Sequence, residues 1–163
     1  MRISHTFLLG LAVLIPTVGH AQTICPWINE ATARGILGGP VAVAVKISEP
    51  GNGVCEFSRQ QGGVLRELTI SVNAMTDVPK QFPSYLSQCP RKSAPLHAIG
   101  NEAIMCSVQT QGNLYAEKVV GRVREQAFIV SVGSRLRDDP SLAPEMRREK
   151  ANLVAEIVAG NLF

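Results

Sequence analysis

Side chains that could serve as a catalytic base are few in this chain. The sequence has three histidines, of which only His97 lies beyond the first 21 residues. A serine nucleophile of the triad type needs histidine as its base, and no G-x-S-x-G sequence surrounds any serine. His97 lies in the sequence Pro-Leu-His-Ala, with no carboxylate beside it. We therefore expect a loop histidine with ordinary solvent or backbone contacts, and we predict no catalytic residue.

Two glutamates are the candidates for carboxylate chemistry. Glu102 follows Gly100-Asn101, a turn that can present a carboxylate, and Glu117 lies within a predicted strand. Glycosidases place two carboxyl groups about 5–10 Å apart across a cleft. A small carboxylate-dependent secreted hydrolase that uses Glu102 and Glu117 is therefore the alternative function. For Glu102 we favour a role in fixing the turn or pairing with a nearby base.

The sequence predicts neither a metal site nor a cofactor site. Asp138-Asp139 could suggest a cation site, but two aspartates before a helix are first of all capping residues. Gly38-Gly39 ends a predicted helix and no lysine follows it, so it does not make a phosphate loop. Trp27 lies close to the first cysteine, and we expect it to pack over a cystine and not to serve as a surface for binding a ligand.

All four cysteines lie beyond residue 21, at Cys25, Cys55, Cys89 and Cys106. An even number in an exported chain favours disulfides over metal binding or thiol chemistry. No pair has the two-residue gap of a redox or zinc motif. Of the three possible connectivities we favour Cys25–Cys55 with Cys89–Cys106, because each pair closes a local segment. Each bond would contribute roughly 3–4 kcal/mol.

Residues 1–21 have the pattern of a signal peptide. Arg2 is followed by an apolar run at residues 7–15, too short to span a bilayer, and then by Pro16 and a small-residue segment that ends at Ala21. An uncleaved anchor is the alternative, and the residues before Cys25 lack the small side chains of a lipoprotein signal. We predict cleavage near Ala21 and a soluble periplasmic or secreted protein.

The remaining residues, 22–163, are enough for one domain with its own core and too few for two ordinary ones. The net charge of +3 falls to about +2 when Arg2 is removed with the leader, and acidic and basic residues are interleaved. Nucleic-acid binders carry a basic stripe with stacking aromatics, and only 5% of this chain is aromatic. The sequence therefore predicts no nucleic-acid partner, and no further run reaches membrane-spanning length.

The first half of the mature chain predicts a helix and three strands. Asn29 can cap a helix over residues 30–37, which Gly38 or Gly39 ends and Pro40 cannot continue. Apolar and polar residues then alternate over 41–48, 54–60 and 64–74, with Gly-rich turns between them. This pattern predicts an antiparallel meander whose core includes Leu68, Ile70 and Val72.

The second half predicts a helix, three strands and a helix. Pro83 would interrupt a longer helix, so we place a short one at 83–88 and a loop at 91–99. Strands follow at 103–110, 114–125 and 127–133, with core candidates Val119, Val123, Phe128, Val130 and Val132. Together these elements predict an α+β fold, in which a sheet of about six antiparallel strands carries a short N-terminal and a long C-terminal helix.

The C-terminal helix has the strongest helical pattern. Asp138 or Ser141 can cap it, and Pro144 is tolerable only in its first turn. Three- and four-residue steps predict an apolar face made of Leu142, Met146, Leu153, Val154, Ile157, Val158 and Leu162. We expect Leu153 to pack on the sheet, and Arg147 and Arg148 to lie mostly off this face.

Several short segments resemble a family. These are Cys25-Pro26-Trp27, the Leu-Gly-Gly-Pro-Val at 37–41, Cys55-Glu56-Phe57, the Ile-Gly-Asn-Glu-Ala at 99–103, and the terminal apolar helix. Together they resemble a group of small exported bacterial domains of unknown function, many of them lipoproteins, with a fold of the PsbP/Mog1 type. This chain lacks their lipidated N-terminal cysteine. The resemblance implies no catalytic residue, and we predict a non-catalytic module that binds an envelope protein, a peptide or a small ligand.

Overall fold

The computed structural model describes residues 24–49, 51–89, 92–110 and 112–163. The predicted signal peptide, residues 1–21, lies outside the described residues. The helices are α1 (Glu30–Leu37), α2 (Val78–Leu86) and α3 (Pro144–Asn161). The strands are β1 (Ala42–Glu49), β2 (Asn52–Gln61), β3 (Val64–Ala74), β4 (Ala94–Leu96), β5 (Glu102–Thr110), β6 (Leu114–Val123) and β7 (Gln126–Ser134).

The strands form one antiparallel sheet in the order β1-β2-β3-β7-β6-β5-β4. The predicted α+β fold is confirmed, with seven strands instead of six. The additional strand, β4, lies within the predicted loop 91–99, where Ala94–Leu96 pairs with residues 103–105 of β5. The two central hairpins, β2–β3 and β6–β7, therefore meet at β3 and β7 in the middle of the sheet.

The main core lies between one face of the sheet and the helices α1 and α3. The core candidates named from the sequence are buried: Leu68, Ile70, Val72, Val119, Val123, Phe128, Val130 and Val132. Their alternation along β3, β6 and β7 puts them on one face, because successive side chains of a strand point to opposite sides. The edge strand β1 differs, because Val43 and Ile47 of its alternating pattern are exposed. A smaller core on the other face joins Phe82 of α2 to Val120 and Ala127.

Helix α1 begins and ends as predicted. Asn29 caps it, since its Oδ1 accepts a hydrogen bond from the Thr32 amide at 2.8 Å. Gly38 ends it in the left-handed region with φ of 82°. The Arg59 guanidinium lies against Gly38 and Gly39, and its Nη1 donates to the Leu37 carbonyl at 2.9 Å. The paired glycines therefore leave room for a cation at the negative end of the helix dipole.

Helix α2 lies earlier in the chain than the predicted helix at 83–88. It starts at Val78 because Asp77 accepts a hydrogen bond from the Lys80 amide, at 3.2 Å. Gln81 reaches back in turn and accepts from the amides of residues 76 and 77. Pro83 lies inside the helix, where its missing N–H removes a single hydrogen bond. Reciprocal capping and the burial of Phe82 therefore outweigh the proline.

Helix α3 begins at Pro144, but the expected caps and part of the expected face are wrong. Ala143 occupies the N-cap position and makes no side-chain cap hydrogen bond, so neither Asp138 nor Ser141 caps the helix. Leu153 is 47% exposed, whereas Arg147 is buried. The face on the sheet consists of Arg147, Ala151, Val154, Ala155, Val158 and Ala159. Small alanines permit close approach to the sheet, and this rotates the larger residues Met146 and Leu153 outward.

Both predicted disulfides are confirmed. Cys25 bonds to Cys55, with 5.8 Å between the Cα atoms, and joins the segment before α1 to β2. Cys89 bonds to Cys106, with 5.6 Å between the Cα atoms, and joins the segment after α2 to β5. One cystine thus belongs to each core, which fixes each short helix to the sheet.

Candidate functional site

The two glutamates considered for catalysis do not share a cleft. Glu102 lies opposite Arg122 and Glu117 lies opposite Ser107, five positions apart along β5. An odd separation along a strand places side chains on opposite faces of the sheet. Glu102 is exposed and forms an ion pair with Arg122, with 3.5 Å between Oε2 and Nε, which confirms the expected pairing with a nearby base. These two carboxylates therefore cannot flank one substrate as a glycosidase pair does.

The other candidate residues, His97, Trp27 and Asp139, do not come together in one site. His97 is exposed just after β4, and Trp27 is buried in the main core together with Cys25 and Cys55. Asp139 is buried and forms an ion pair with Arg66 of β3. Within the described ranges, no group of three or more His, Cys, Asp or Glu side chains is placed to hold a metal ion.

Among these candidates, Glu117 is unusual because its carboxylate is buried and, within the described residues, only partly hydrogen-bonded. Its side chain is only 6% exposed. The Ser107 hydroxyl donates to Oε1 at 2.6 Å, from the directly opposite position on β5. Oε2 is buried and accepts no hydrogen bond from the described residues, and it forms an ion pair with Arg148, with 3.6 Å between Oε2 and Nε. A buried carboxylate oxygen without a hydrogen bond costs about 1–3 kcal/mol, so an acceptor left in this state needs an explanation.

A groove lies beside this carboxylate, between α3 and the β4–β5 edge. We call it the β5 groove; its volume is about 520 Å³. Its lining combines an apolar part with charged residues: Lys92, Ala94, Leu96, Met105, Cys106, Ser107, Glu145, Arg148, Glu149 and Asn152. Apolar walls with a few polar groups are typical of ligand sites. The β5 groove is thus large enough for a small molecule or a short peptide segment.

A second groove, of about 350 Å³, has Glu117 in its lining, and we call it the β6 groove. Ser107 lines both grooves, whereas Glu117 lines the β6 groove and Arg148 the β5 groove. Arg147 is buried at the β6 groove and donates to two backbone carbonyls in the loop before α3. The Glu117–Arg148 ion pair therefore stands where the two grooves meet.

The sequence contained a signal for part of this site. In β6, residues 117, 119, 121 and 123 share one face, and Val119 and Val123 belong to the main core, so the alternation places Glu117 on the side of that core. Ser107 and Arg148 gave no such signal. Their proximity to Glu117 depends on the β5–β6 register and on the position of α3 over the sheet.

Comparison of this chain with protein-family models, curated proteins and solved structures found no match. Among the described residues, no helix is both long enough and apolar enough to cross a membrane.

Proposed function

We propose that this protein is an exported, non-catalytic binding module, and that its ligand occupies the β5 groove. The observation that carries the proposal is the buried Glu117 carboxylate, whose Oε2 accepts no hydrogen bond from the part of the chain that the structure describes. An acceptor of this kind beside a groove of about 520 Å³ is suited to a ligand that supplies the missing donor.

The lining of the groove supports recognition of a partly apolar ligand. Leu96 and Met105 offer apolar contact from neighbouring strands. Glu145, Arg148 and Glu149 present charges from the first two turns of α3. Side chains on a strand and on a packed helix hold their positions better than those on a loop. Rigid walls lower the conformational entropy that binding must offset.

Two further observations support the non-catalytic and exported parts of the proposal. Glu102 and Glu117 lie on opposite faces, and His97 lies just beyond β4, outside the lining of the groove. The two disulfides are compatible with an oxidising compartment. The signal peptide at 1–21 and the resemblance to exported PsbP/Mog1-like domains stay predictions that fit the same function.

A probe titration tests the site. Hexan-1-ol, a small neutral amphiphile, would be titrated into isotope-labelled mature protein while amide chemical shifts are recorded. We expect shifts concentrated in β4, β5 and the first turns of α3. Ala94→Trp, which fills the groove, should abolish them. Ala42→Trp, an exposed alanine of β1 outside the groove, should leave them unchanged. Shifts elsewhere, or none at millimolar probe, would overturn the proposed site.

A further inference from the structure

The two oxygens of Glu117 have different surroundings. Oε1 accepts the Ser107 hydroxyl at 2.6 Å, which is a short hydrogen bond to a charged acceptor. Oε2 has the guanidinium of Arg148 at 3.6 Å, beyond hydrogen-bond distance, and the Arg148 side chain is 65% exposed. Arg148 thus partly neutralises the charge of Glu117 but donates no hydrogen bond to Oε2. Because its side chain is exposed, Arg148 can move into solvent with little loss of packing.

The remaining charges of the β5 groove favour a cation. When Arg148 is paired with Glu117, the other charged residues that line the groove are Lys92, Glu145 and Glu149. Two carboxylates thus face one ammonium group. This excess of one negative charge stays the same when Arg148 leaves Glu117, because the two released charges are opposite. The cations Arg137 and Arg147 line the β6 groove, where Arg147 donates to backbone carbonyls.

The apolar part of the groove limits what can carry that cation. Ala94 and Met105 are directly opposite in the β4–β5 register, and Leu96 continues the same face of β4. An alkyl stem that lies along these residues would direct its charged end toward Ser107, which lines both grooves and donates to Glu117 of the β6 groove. This arrangement matches the side chain of lysine or arginine, or an alkylamine.

We propose that the ligand group recognised by this protein is an ammonium or guanidinium on an apolar stem, and that Arg148 is a built-in competitor that the ligand displaces from Glu117. This inference rests on the proposed function. The incoming N–H group donates to Oε2, which supplies the hydrogen bond that Arg148 does not make. No bond is made or broken in the ligand.

A matched series of probes separates charge from shape. Hexylamine, hexan-1-ol and hexanoate share one alkyl stem and differ in the charge of the head group, and each would be titrated while amide shifts of the groove are followed. We expect hexylamine to bind about tenfold more tightly than hexan-1-ol and hexanoate to bind most weakly. Hexanoate binding as tightly as hexylamine would overturn the cation proposal.

Variants test the roles of the two residues in opposite directions. Glu117→Gln keeps the acceptor for Ser107 but removes the charge, and it should abolish the preference for hexylamine over hexan-1-ol. Arg148→Gln removes the competitor and should raise hexylamine affinity about two- to fivefold, the range of an exposed ion pair. Glu125→Gln, at an exposed position outside both grooves, is the control and should leave the affinity unchanged. Weaker hexylamine binding in Arg148→Gln would overturn the role of Arg148 as a competitor.

Failure of this inference differs from failure of the proposed function. If all three probes shift the groove amides equally, the groove binds ligands but does not select cations, and only the inference is wrong. If no probe shifts them, in the wild type or in Arg148→Gln, both proposals are wrong. A correctly folded Glu117→Gln variant is recognised by amide shifts outside the groove that match those of the wild type.

Discussion

Arg66 of β3 and Asp139 of the loop before α3 form a buried bidentate ion pair. Arg66 Nε donates to Asp139 Oδ2 at 2.6 Å, and Nη2 donates to Oδ1 at 2.9 Å. The Ser134 hydroxyl and the Ser141 amide complete the carboxylate's hydrogen bonds, at 2.8 Å and 3.0 Å. The pair thus holds the loop on the sheet at the place from which α3 starts.

Because of this pair, the free energy of unfolding should depend on pH in the acid range. The hydrogen bond from Arg66 is the largest of the effects that lower the pKa of Asp139, from 3.8 to about 2. A depressed folded-state pKa contributes stability above the unfolded pKa, and the contribution disappears as pH falls through the folded pKa. The shift corresponds to roughly 2 kcal/mol at neutral pH. We expect this part to be lost between about pH 4 and pH 2.

Urea melts over that pH range test the expectation. Asp139→Asn should lower the free energy of unfolding by roughly 3–5 kcal/mol at pH 7, because it leaves Arg66 buried without its counter-charge. The difference from the wild type should shrink by roughly 2 kcal/mol in acid. Asp138→Asn, at the exposed neighbouring position, is the control and should have little effect. A difference that is constant with pH would contradict the linkage.

The two cystines should contribute unequally. They close segments of 30 and 17 residues, and the chain-entropy model gives the longer one about 0.5 kcal/mol more. Replacing Cys25 and Cys55 together by alanine should lower the free energy of unfolding by roughly 2–5 kcal/mol, and replacing Cys89 and Cys106 should lower it slightly less. Chemical denaturation of both double variants measures the order. A larger loss for the Cys89–Cys106 pair would show that chain entropy does not dominate.

Two glycine-to-alanine substitutions should act in opposite directions. Gly35 lies inside α1, and an added Cβ there would meet nothing within 4 Å. Gly35→Ala should therefore raise stability by about 0.5–1 kcal/mol through helix propensity. Gly121 of β6 faces Phe128, and an added Cβ would lie 2.4 Å from the ring, so Gly121→Ala should destabilise the main core. Thermal melts decide both signs, and stabilisation by Gly121→Ala would contradict the packing described.

The parts of the fold that could be predicted from sequence are those determined by residues close together in the chain. The Asn29 cap, the glycine end of α1 and the alternation in β3 and β7 each act over a few residues. Strand β4 was missed because three residues are too short for alternation to be visible. The interruption expected at Pro83 places helix α2 too late in the chain, because its start depends on hydrogen bonds that Asp77 and Gln81 accept from the amides of residues 76, 77 and 80.

The candidate site was only partly predictable, for a different reason. Glu117 could be singled out as a carboxylate in a strand, but its surroundings depend on Ser107 across the register and on Arg148 of α3, the helix that follows the next strand. Cross-strand register and helix position are tertiary properties that no local pattern encodes. The apolar steps in α3 likewise did not reveal that its alanines, rather than its largest residues, contact the sheet.

The orientation of α3 predicts that the same substitution, leucine to alanine, has different effects on stability at two positions. Leu142, just before the helix, is completely buried, whereas Leu153 is 47% exposed and lines a groove against α1. Leu142→Ala should leave a cavity and lower the free energy of unfolding by roughly 2–5 kcal/mol. Leu153→Ala removes surface that is already half hydrated, and it should cost less than about 1 kcal/mol. Urea melts of the two variants measure the contrast. Equal losses would mean that Leu153 is covered in solution, and sedimentation of the wild type would then show whether a second copy of the chain covers it.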